Sequence, residues 1–158
     1  MFRIGIGNDT HRLVRGRPLI IGGVNVPYEV GPEGHSDSDA LAHAVIDALL
    51  GALAEGDIGV HFPDSDPQWK DANSFKMLRH VMRLVQKRGF HAVNADATVM
   101  LERPKLREHI DQMRENLAEV LRLNITSVSV KAKSGEGLDA VGRGEAISAQ
   151  AIVLLRAI

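Results

Sequence analysis

The sequence predicts an α+β fold, an α/β sandwich built on a mixed sheet, and three observations carry that expectation. Apolar residues recur with periods of about two or about 3.6 in the order β, ββ, α, α, β, α, β, followed by one more element. The 158 residues suit one domain, long enough to bury about two-thirds of the surface its unfolded chain exposes. No internal repeat, low-complexity tract or linker divides the chain, so a single domain over residues 1–158 is expected.

Residues 2–6 and 18–27 predict short strands, with Gly22-Gly23 marking a turn or bulge between Leu19-Ile20-Ile21 and Val24-Asn25-Val26. Gly31 to Ser38 is predicted as loop. A helix follows from about Asp39 to Leu53, with Ser36, Asp37 or Ser38 available as its cap. Its Leu41, Val45, Ile46, Leu49, Leu50 and Leu53 cover more than one stripe, which predicts a mostly buried helix. Residues 54–73, rich in Gly, Pro and Asp, form the longest irregular stretch.

Ser74 is the expected cap of a second helix, in which Phe75, Leu78, Val81, Met82 and Val85 keep helical spacing and Gly89 ends the run. Val93, Ala95, Ala97 and Val99 alternate as one face of a strand. Pro104 is expected to open a third helix that buries Leu106, Ile110, Met113, Leu117 and Val120. Residues 126–132 alternate as a strand, and the loop 133–144 holds four glycines. The tail from Ala146 to Leu155 fits a strand or a helix, and periodicity alone leaves both open.

Composition excludes several classes of function. With 19 Lys and Arg against 20 Asp and Glu, a net charge of −1 gives no electrostatic case for nucleic acid or an anionic membrane. The chain has no cysteine, so a disulfide scaffold, a thiolate nucleophile and a zinc finger are excluded, and any metal must be held by His and carboxylates. No segment is apolar enough for a signal peptide or a bilayer span. The expected compartment is the cytoplasm, and a processed plastid chain would look the same. Gly5-Ile6-Gly7 lacks the third glycine of a dinucleotide fingerprint, and no P-loop pattern occurs.

Four groups of residues offer chemistry. In Asp9-Thr10-His11 an extended backbone points a carboxylate and an imidazole to the same side. His43 lies on an apolar helix, one turn after Asp39, where an unsatisfied imidazole is costly; with the first pair it would complete a His–His–Asp set, with Asp39 or Asp47 as an outer partner. A turn Asp, a surface His and a hydrogen-bonded core His are the plainer alternatives. The acidic loop Asp57-Ile58-Gly59 with Phe62-Pro63-Asp64-Ser65-Asp66 can hold hydroxyls or phosphates, as well as being an ordinary surface loop. Lys131-Ala132-Lys133-Ser134-Gly135-Glu136 and Gly142-Arg143-Gly144-Glu145 combine amides, a hydroxyl and cations suited to phosphate, with a carboxylate suited to Mg²⁺ or Mn²⁺.

These segments, together with Gly34-His35-Ser36-Asp37, Asp47-Ala48-Leu49-Leu50-Gly51-Ala52 and Gly56-Asp57-Ile58-Gly59, stand in one order along the chain. In that order the chain closely resembles the 2-C-methyl-D-erythritol 2,4-cyclodiphosphate synthase family. The resemblance implies an intramolecular phosphoryl transfer in which the 2-phosphate of 4-diphosphocytidyl-2-C-methyl-D-erythritol 2-phosphate attacks its own β-phosphorus and releases CMP. It implies zinc on Asp9, His11 and His43, and Mg²⁺ or Mn²⁺ near Glu136. It assigns His35 and Ser134 to transition-state stabilisation, and Asp57, Ile58, Gly59 and Phe62 through Asp66 to the methylerythritol loop. Leu101, Glu102, Arg103, Pro104, Lys105, Leu106 and Arg107 match its cytosine pocket. Lys133 and Arg143 match phosphate contacts, and Ser36, Gly135 and Ala140 further substrate contacts.

The implied fold is chorismate-mutase-like, with helices on one sheet face, and a homotrimer whose sheets pack together and whose active sites lie between subunits. That favours a strand for the tail. Ser134 stands where the family commonly has Thr, Lys133 where Thr is frequent, and Asp139-Ala140 where Gly-Phe lines an isoprenoid-binding cavity on the trimer axis, so the resemblance does not carry that property over to this chain. The competing readings are a zinc phosphoesterase or cyclase for another nucleotide-linked substrate, and a non-enzymatic CMP- or metal-binding regulator.

Overall fold

Two glycines near the N-terminus set how the layers meet. A Cβ on Gly5 would lie 1.9 Å from the carbonyl oxygen of Ala48, and one on Gly7 would lie 2.0 Å from that of Ala44. The glycines therefore let strand β1 (Phe2–Arg15) press directly against helix α1 (Ala40–Leu53). The computed structural model describes residues Met1–Ile158. β1 is longer than the strand expected over 2–6, because Asn8-Asp9-Thr10 continues the ladder without an apolar signal. It pairs antiparallel with β7 (Ala146–Ala157) from Phe2 to Arg12, and then with the short edge strand β4 (Val30–Pro32), where a loop was expected.

β2 (Leu19–Ile21) and β3 (Val24–Val26) form a separate hairpin. Gly22 and Gly23 take positive φ of 58° and 75°, as a two-residue turn between twisted strands requires. Asp39, fully buried, caps α1 in place of the residues before it; its carboxylate accepts from Ala42 N at 3.0 Å, Gly22 N at 2.9 Å and Gly23 N at 2.8 Å. Burial pushes that carboxyl up to about 6 against the pull of the three amides.

The stretch 54–73 is not wholly irregular. It contains the one-turn helix α2 (Ile58–His61), capped by Asp57, and a 3₁₀ turn, Pro67–Trp69, both too short to leave a periodic signal. Asn73, not Ser74, caps α3 (Ser74–Lys87), because the Ser74 hydroxyl is engaged elsewhere. In β5 (Phe90–Met100) a bulge between Ala92 and Asn94 moves Val93 off the core face, which is built by Ala92, Ala95, Ala97 and Val99. The third long helix, α4 (Ile110–Leu121), starts well after Pro104. Residues 101–106 stay irregular, held by the Leu101 N–H on the Lys133 carbonyl (2.9 Å) and by burial of Leu106.

β6 (Val128–Lys133) begins after a 3₁₀ turn, Ile125–Ser127, capped by Asn124. The glycine-rich loop holds one helical turn, α5 (Asp139–Gly142). The tail is a strand, as the resemblance favours: β7 is central, between β1 and β5, and buries Ile147, Ala149, Ala151, Val153 and Leu155 on its helix-facing side. The sheet order is β4-β1-β7-β5-β6, with only the β5–β6 pair parallel, so the sheet is mixed.

α1, α3 and α4 lie on one side of it and share a core of 40 buried residues. On the other side no element covers the sheet, and Phe2, Ile4, Ile6 and Ile152 expose between 41% and 71% of their surface. No helix is long and apolar enough to cross a membrane.

Candidate active site

The period of two in β1 turns Asp9 and His11 to the side of Gly5 and Gly7, towards α1, and His43 lies in the first turns of that helix. The glycine contact brings the helix close enough for three side chains to converge. Asp9 Oδ2 lies 2.7 Å from His11 Nε2 and 3.1 Å from His43 Nδ1, and the two ring nitrogens are 3.4 Å apart. Such crowding of one carboxylate and two imidazoles can hold a divalent metal ion. His11 Nδ1 lies 2.9 Å from the Glu33 carbonyl and donates its N–H there, so in the neutral ring the Nε2 lone pair faces the cluster.

The electrostatics follow. Burial acts to raise the Asp9 carboxyl, but hydrogen bonds and charge from His11 and His43 outweigh it and hold it at about 2. Burial acts to lower His11, and the Asp9 carboxylate outweighs it, so the imidazole titrates above its ordinary value. Neither Asp39 nor Asp47 meets the His43 ring. Asp39 accepts the His43 backbone N–H through its carbonyl, while Asp47 Oδ1 accepts from Ile58 N at 2.7 Å and so ties the following loop to α1. Burial raises the Asp47 carboxyl.

A cleft of about 420 Å³ opens beside the cluster. Of the residues expected at a site, His35, Ser36, Ile58 and Gly59 line it, as do Phe62, Pro63 and Asp64. His35 Nε2 is buried there and has no hydrogen-bond partner. Asp57 stands outside, its carboxylate spent on capping Val60 N, and Asp66 likewise caps Gln68 N; Ser65 is exposed. Phe62 packs edge-on against Trp69, the chain's single tryptophan, with ring centroids 4.7 Å apart. Sequence reasoning missed Trp69 and Met77 in the lining, and Ser74 behind His43. Only the rarity of Trp was a usable signal.

The other expected residues gather elsewhere. Ser134 Oγ donates to Glu136 Oε1 at 3.0 Å, and Gly135 N donates to Glu102 Oε2 at 2.9 Å, joining the loop after β6 to segment 101–107. Lys105, Leu106, Arg107 and Lys133 border a cleft of about 740 Å³. Arg103 and Arg143 border another of about 340 Å³, with Arg143 Nε on Glu145 at 3.0 Å. Leu101 is buried, Pro104 half-buried, and Ala140 half-buried within α5. None of these residues reaches the cleft beside Asp9 in the same chain.

The pattern that defines the YgbB family matches residues 2–156. A 2-C-methyl-D-erythritol 2,4-cyclodiphosphate synthase from Bacillus pumilus is 56% identical over 156 residues, covering 99% of each chain. The synthase of Salinibacter ruber is 59% identical over 149 residues, covering 94% of this chain and 95% of its own. A solved 2C-methyl-D-erythritol-2,4-cyclodiphosphate synthase in a CDP-bound form is 44% identical and superposes with a TM-score of 0.91, covering 98% of this chain and 100% of its own. The chain belongs to the YgbB family, the family of the 2-C-methyl-D-erythritol 2,4-cyclodiphosphate synthases it matches from end to end.

Proposed function

We propose that the chain carries out this ring closure with the residues gathered in its two clusters. The 2-phosphate of 4-diphosphocytidyl-2-C-methyl-D-erythritol 2-phosphate attacks the β-phosphorus of the same molecule, a cyclic diphosphate forms, and CMP leaves. The observation that carries this reading is the convergence of Asp9, His11 and His43 at the mouth of a cleft lined by His35, whose Nε2 has no protein partner. The nucleophile belongs to the substrate, so the chain needs no cysteine; its work is to fold two anionic groups together and balance the charge that develops.

Asp9, His11 and His43 would hold zinc, which would supply Lewis-acid polarisation of a phosphate oxygen. Glu136 would hold Mg²⁺ or Mn²⁺ against the diphosphate. His35 and Ser134 stabilise the transferring group, and Lys133 and Arg143 attract phosphate. The loop from Asp57 to Asp66 receives the methylerythritol, and residues 101–107 receive the cytosine; CDP in a solved relative supports that substrate class.

The two clusters lie apart in one chain, which supports sites completed between subunits. The uncovered apolar face of the sheet supports a chorismate-mutase-like homotrimer with the sheets packed inward. One continuous core supports reading residues 1–158 as one domain, the bacterial relatives are in keeping with a cytoplasmic location, and the net charge of −1 offers no electrostatic pull towards nucleic acid or an anionic membrane. Incubation of the metal-loaded protein with the diphosphocytidyl substrate, followed by phosphorus NMR, should yield CMP and the cyclic diphosphate in equal amounts. Folded, metal-loaded protein that released no CMP would overturn the proposal.

A further inference from the structure

Ser74 belongs to none of the segments that carry the resemblance, yet it is fully buried and lies directly behind a metal-ligand candidate. Its hydroxyl is not needed to start α3, since Asn73 Oδ1 already accepts the Phe75 N–H at 2.9 Å. Instead Ser74 Oγ lies 2.8 Å from His43 Nε2, the ring nitrogen turned away from Asp9 and His11. The same oxygen is hydrogen-bonded to Asp37 Oδ1.

The direction of these bonds follows from counting protons. The Asp37 carboxylate is an acceptor throughout: Oδ2 takes Ser74 N at 3.1 Å, and Oδ1 takes Asp39 N at 3.2 Å as well as the serine hydroxyl. The one hydroxyl proton of Ser74 is therefore committed to Asp37, and its oxygen can only accept from His43. A neutral His43 ring must then carry its proton on Nε2, leaving the Nδ1 lone pair towards Asp9 Oδ2 and His11 Nε2, where a metal ion would sit. Ser36 Oγ also faces Nε2, but at 3.3 Å, and it already accepts from Ser38 N at 3.0 Å. His11 has the complementary arrangement, with Nδ1 on the Glu33 carbonyl and Nε2 turned to Asp9 Oδ2 at 2.7 Å.

We infer that Ser74, oriented by Asp37, is a positioning residue that holds His43 in the Nε2–H tautomer and so presents its Nδ1 lone pair to the metal. The three residues form a chain, imidazole N–H to hydroxyl to carboxylate, that locks ring orientation and raises ligand basicity without touching substrate. Asp37, on the loop that enters α1, is itself fastened, its N–H donating to the Ala72 carbonyl at 3.1 Å, so the chain links α1, α3 and the loops that lead into them.

The inference rests on reading Asp9, His11 and His43 as the metal centre, and its test separates the two. Metal-free protein is titrated with zinc against a chromophoric chelator, and zinc-loaded protein with ¹⁵N-labelled histidine is examined by long-range proton–nitrogen correlation. Wild type should bind zinc with His43 protonated on Nε2 and metal-bound through Nδ1. Ser74→Ala should bind roughly ten- to a hundredfold more weakly, and Asp37→Asn should lose less, because the amide oxygen still accepts the hydroxyl. Failure of wild type to bind zinc removes the metal reading itself. Zinc binding by wild type with His43 ligating through Nε2, or with Ser74→Ala binding as tightly as wild type, overturns the positioning role; the tautomer measurement decides it even where a variant does not fold.

Discussion

Asp9 and Ala132 occupy one row of the sheet, with Ala149 and Val99 between them. Three strand spacings separate them, about 14 Å. Ser134 and Glu136 lie just beyond Ala132, so the hydroxyl and carboxylate expected at the phosphates stand on the opposite flank of the sheet from Asp9, His11 and His43. On the proposed function these are two half-sites of one chain, and a second copy would bring them together. Asp9→Ala and Ser134→Ala chains should each be inactive, or nearly so, when assayed alone. In trimers formed at random from equal amounts, about one site in four joins two intact halves. Mixing after dissociation should therefore restore about a quarter of wild-type CMP release; no recovery from mixed trimers would place both halves in one chain.

Metal content tests the cluster itself. Purified protein should carry about one zinc per chain by elemental analysis, since Asp9, His11 and His43 form one three-donor set. His43→Ala removes one of the three ligand candidates, the one 3.1 Å from Asp9 Oδ2, and should lose the metal. Full occupancy in that variant would refute the assignment.

Ser134 should act mainly in the transition state. Ser134→Ala should lower kcat by on the order of a hundredfold, about 3 kcal/mol, with little change in KM. Ser134→Thr keeps the hydroxyl and should stay close to wild type. Lys133→Ala should raise KM instead, by a factor that shrinks at high salt as phosphate attraction is screened. Steady-state CMP release gives all three, and a Ser134→Ala enzyme altered only in KM would make Ser134 a ground-state contact.

In the metal-free protein the cluster should leave a pH signature. Asp9 is depressed from its ordinary 3.8 to about 2, and its side chain is mostly buried, so it contributes roughly 2 kcal/mol. For a depressed carboxyl that contribution is complete above pH 3.8 and is lost as pH falls through about 2. His11 is shifted upwards, so its share is complete below 6.5 and is lost as pH rises through its raised value. Urea unfolding of wild type and Asp9→Asn should differ most near pH 5, with the gap closing on both sides. A gap that widened towards pH 3 would have the wrong sign for this linkage.

Gly7 should tolerate no side chain. A Cβ there would meet the Ala44 carbonyl oxygen at 2.0 Å and the Ala48 nitrogen at 2.7 Å, both backbone atoms of a buried helix. Gly7→Ala should cost about 3 kcal/mol or more and weaken metal binding in the same variant, because α1 must move away from β1. Calorimetry and zinc titration read the two effects, and a variant as stable as wild type would mean the helix is not seated on this glycine.

By itself the sequence determined whatever depends on neighbours within a few positions. The buried periodicity of α1 and α3, the same-side spacing of Asp9 and His11, the turn at Gly22-Gly23 and the absence of thiols are all local, and they carry the fold class and the ligand types. Tertiary structure decided the rest, because it turns on contacts between distant residues. The missing third glycine takes Gly5 and Gly7 out of a dinucleotide loop but gives them no other role, which appears only when a helix more than thirty positions on is found resting on them. The tail pattern suits helix or strand, and only its place between β1 and β5, where every backbone group must join a ladder, makes it a strand. Pro104 sits where a helix could begin, yet the Leu101–Lys133 hydrogen bond holds that segment to the end of β6. Ser74 reads as a helix cap, and becomes the partner of His43 only because folding brings together residues 31 positions apart. Periodicity reports which face of an element is apolar; it carries no information about which distant atom that face will meet.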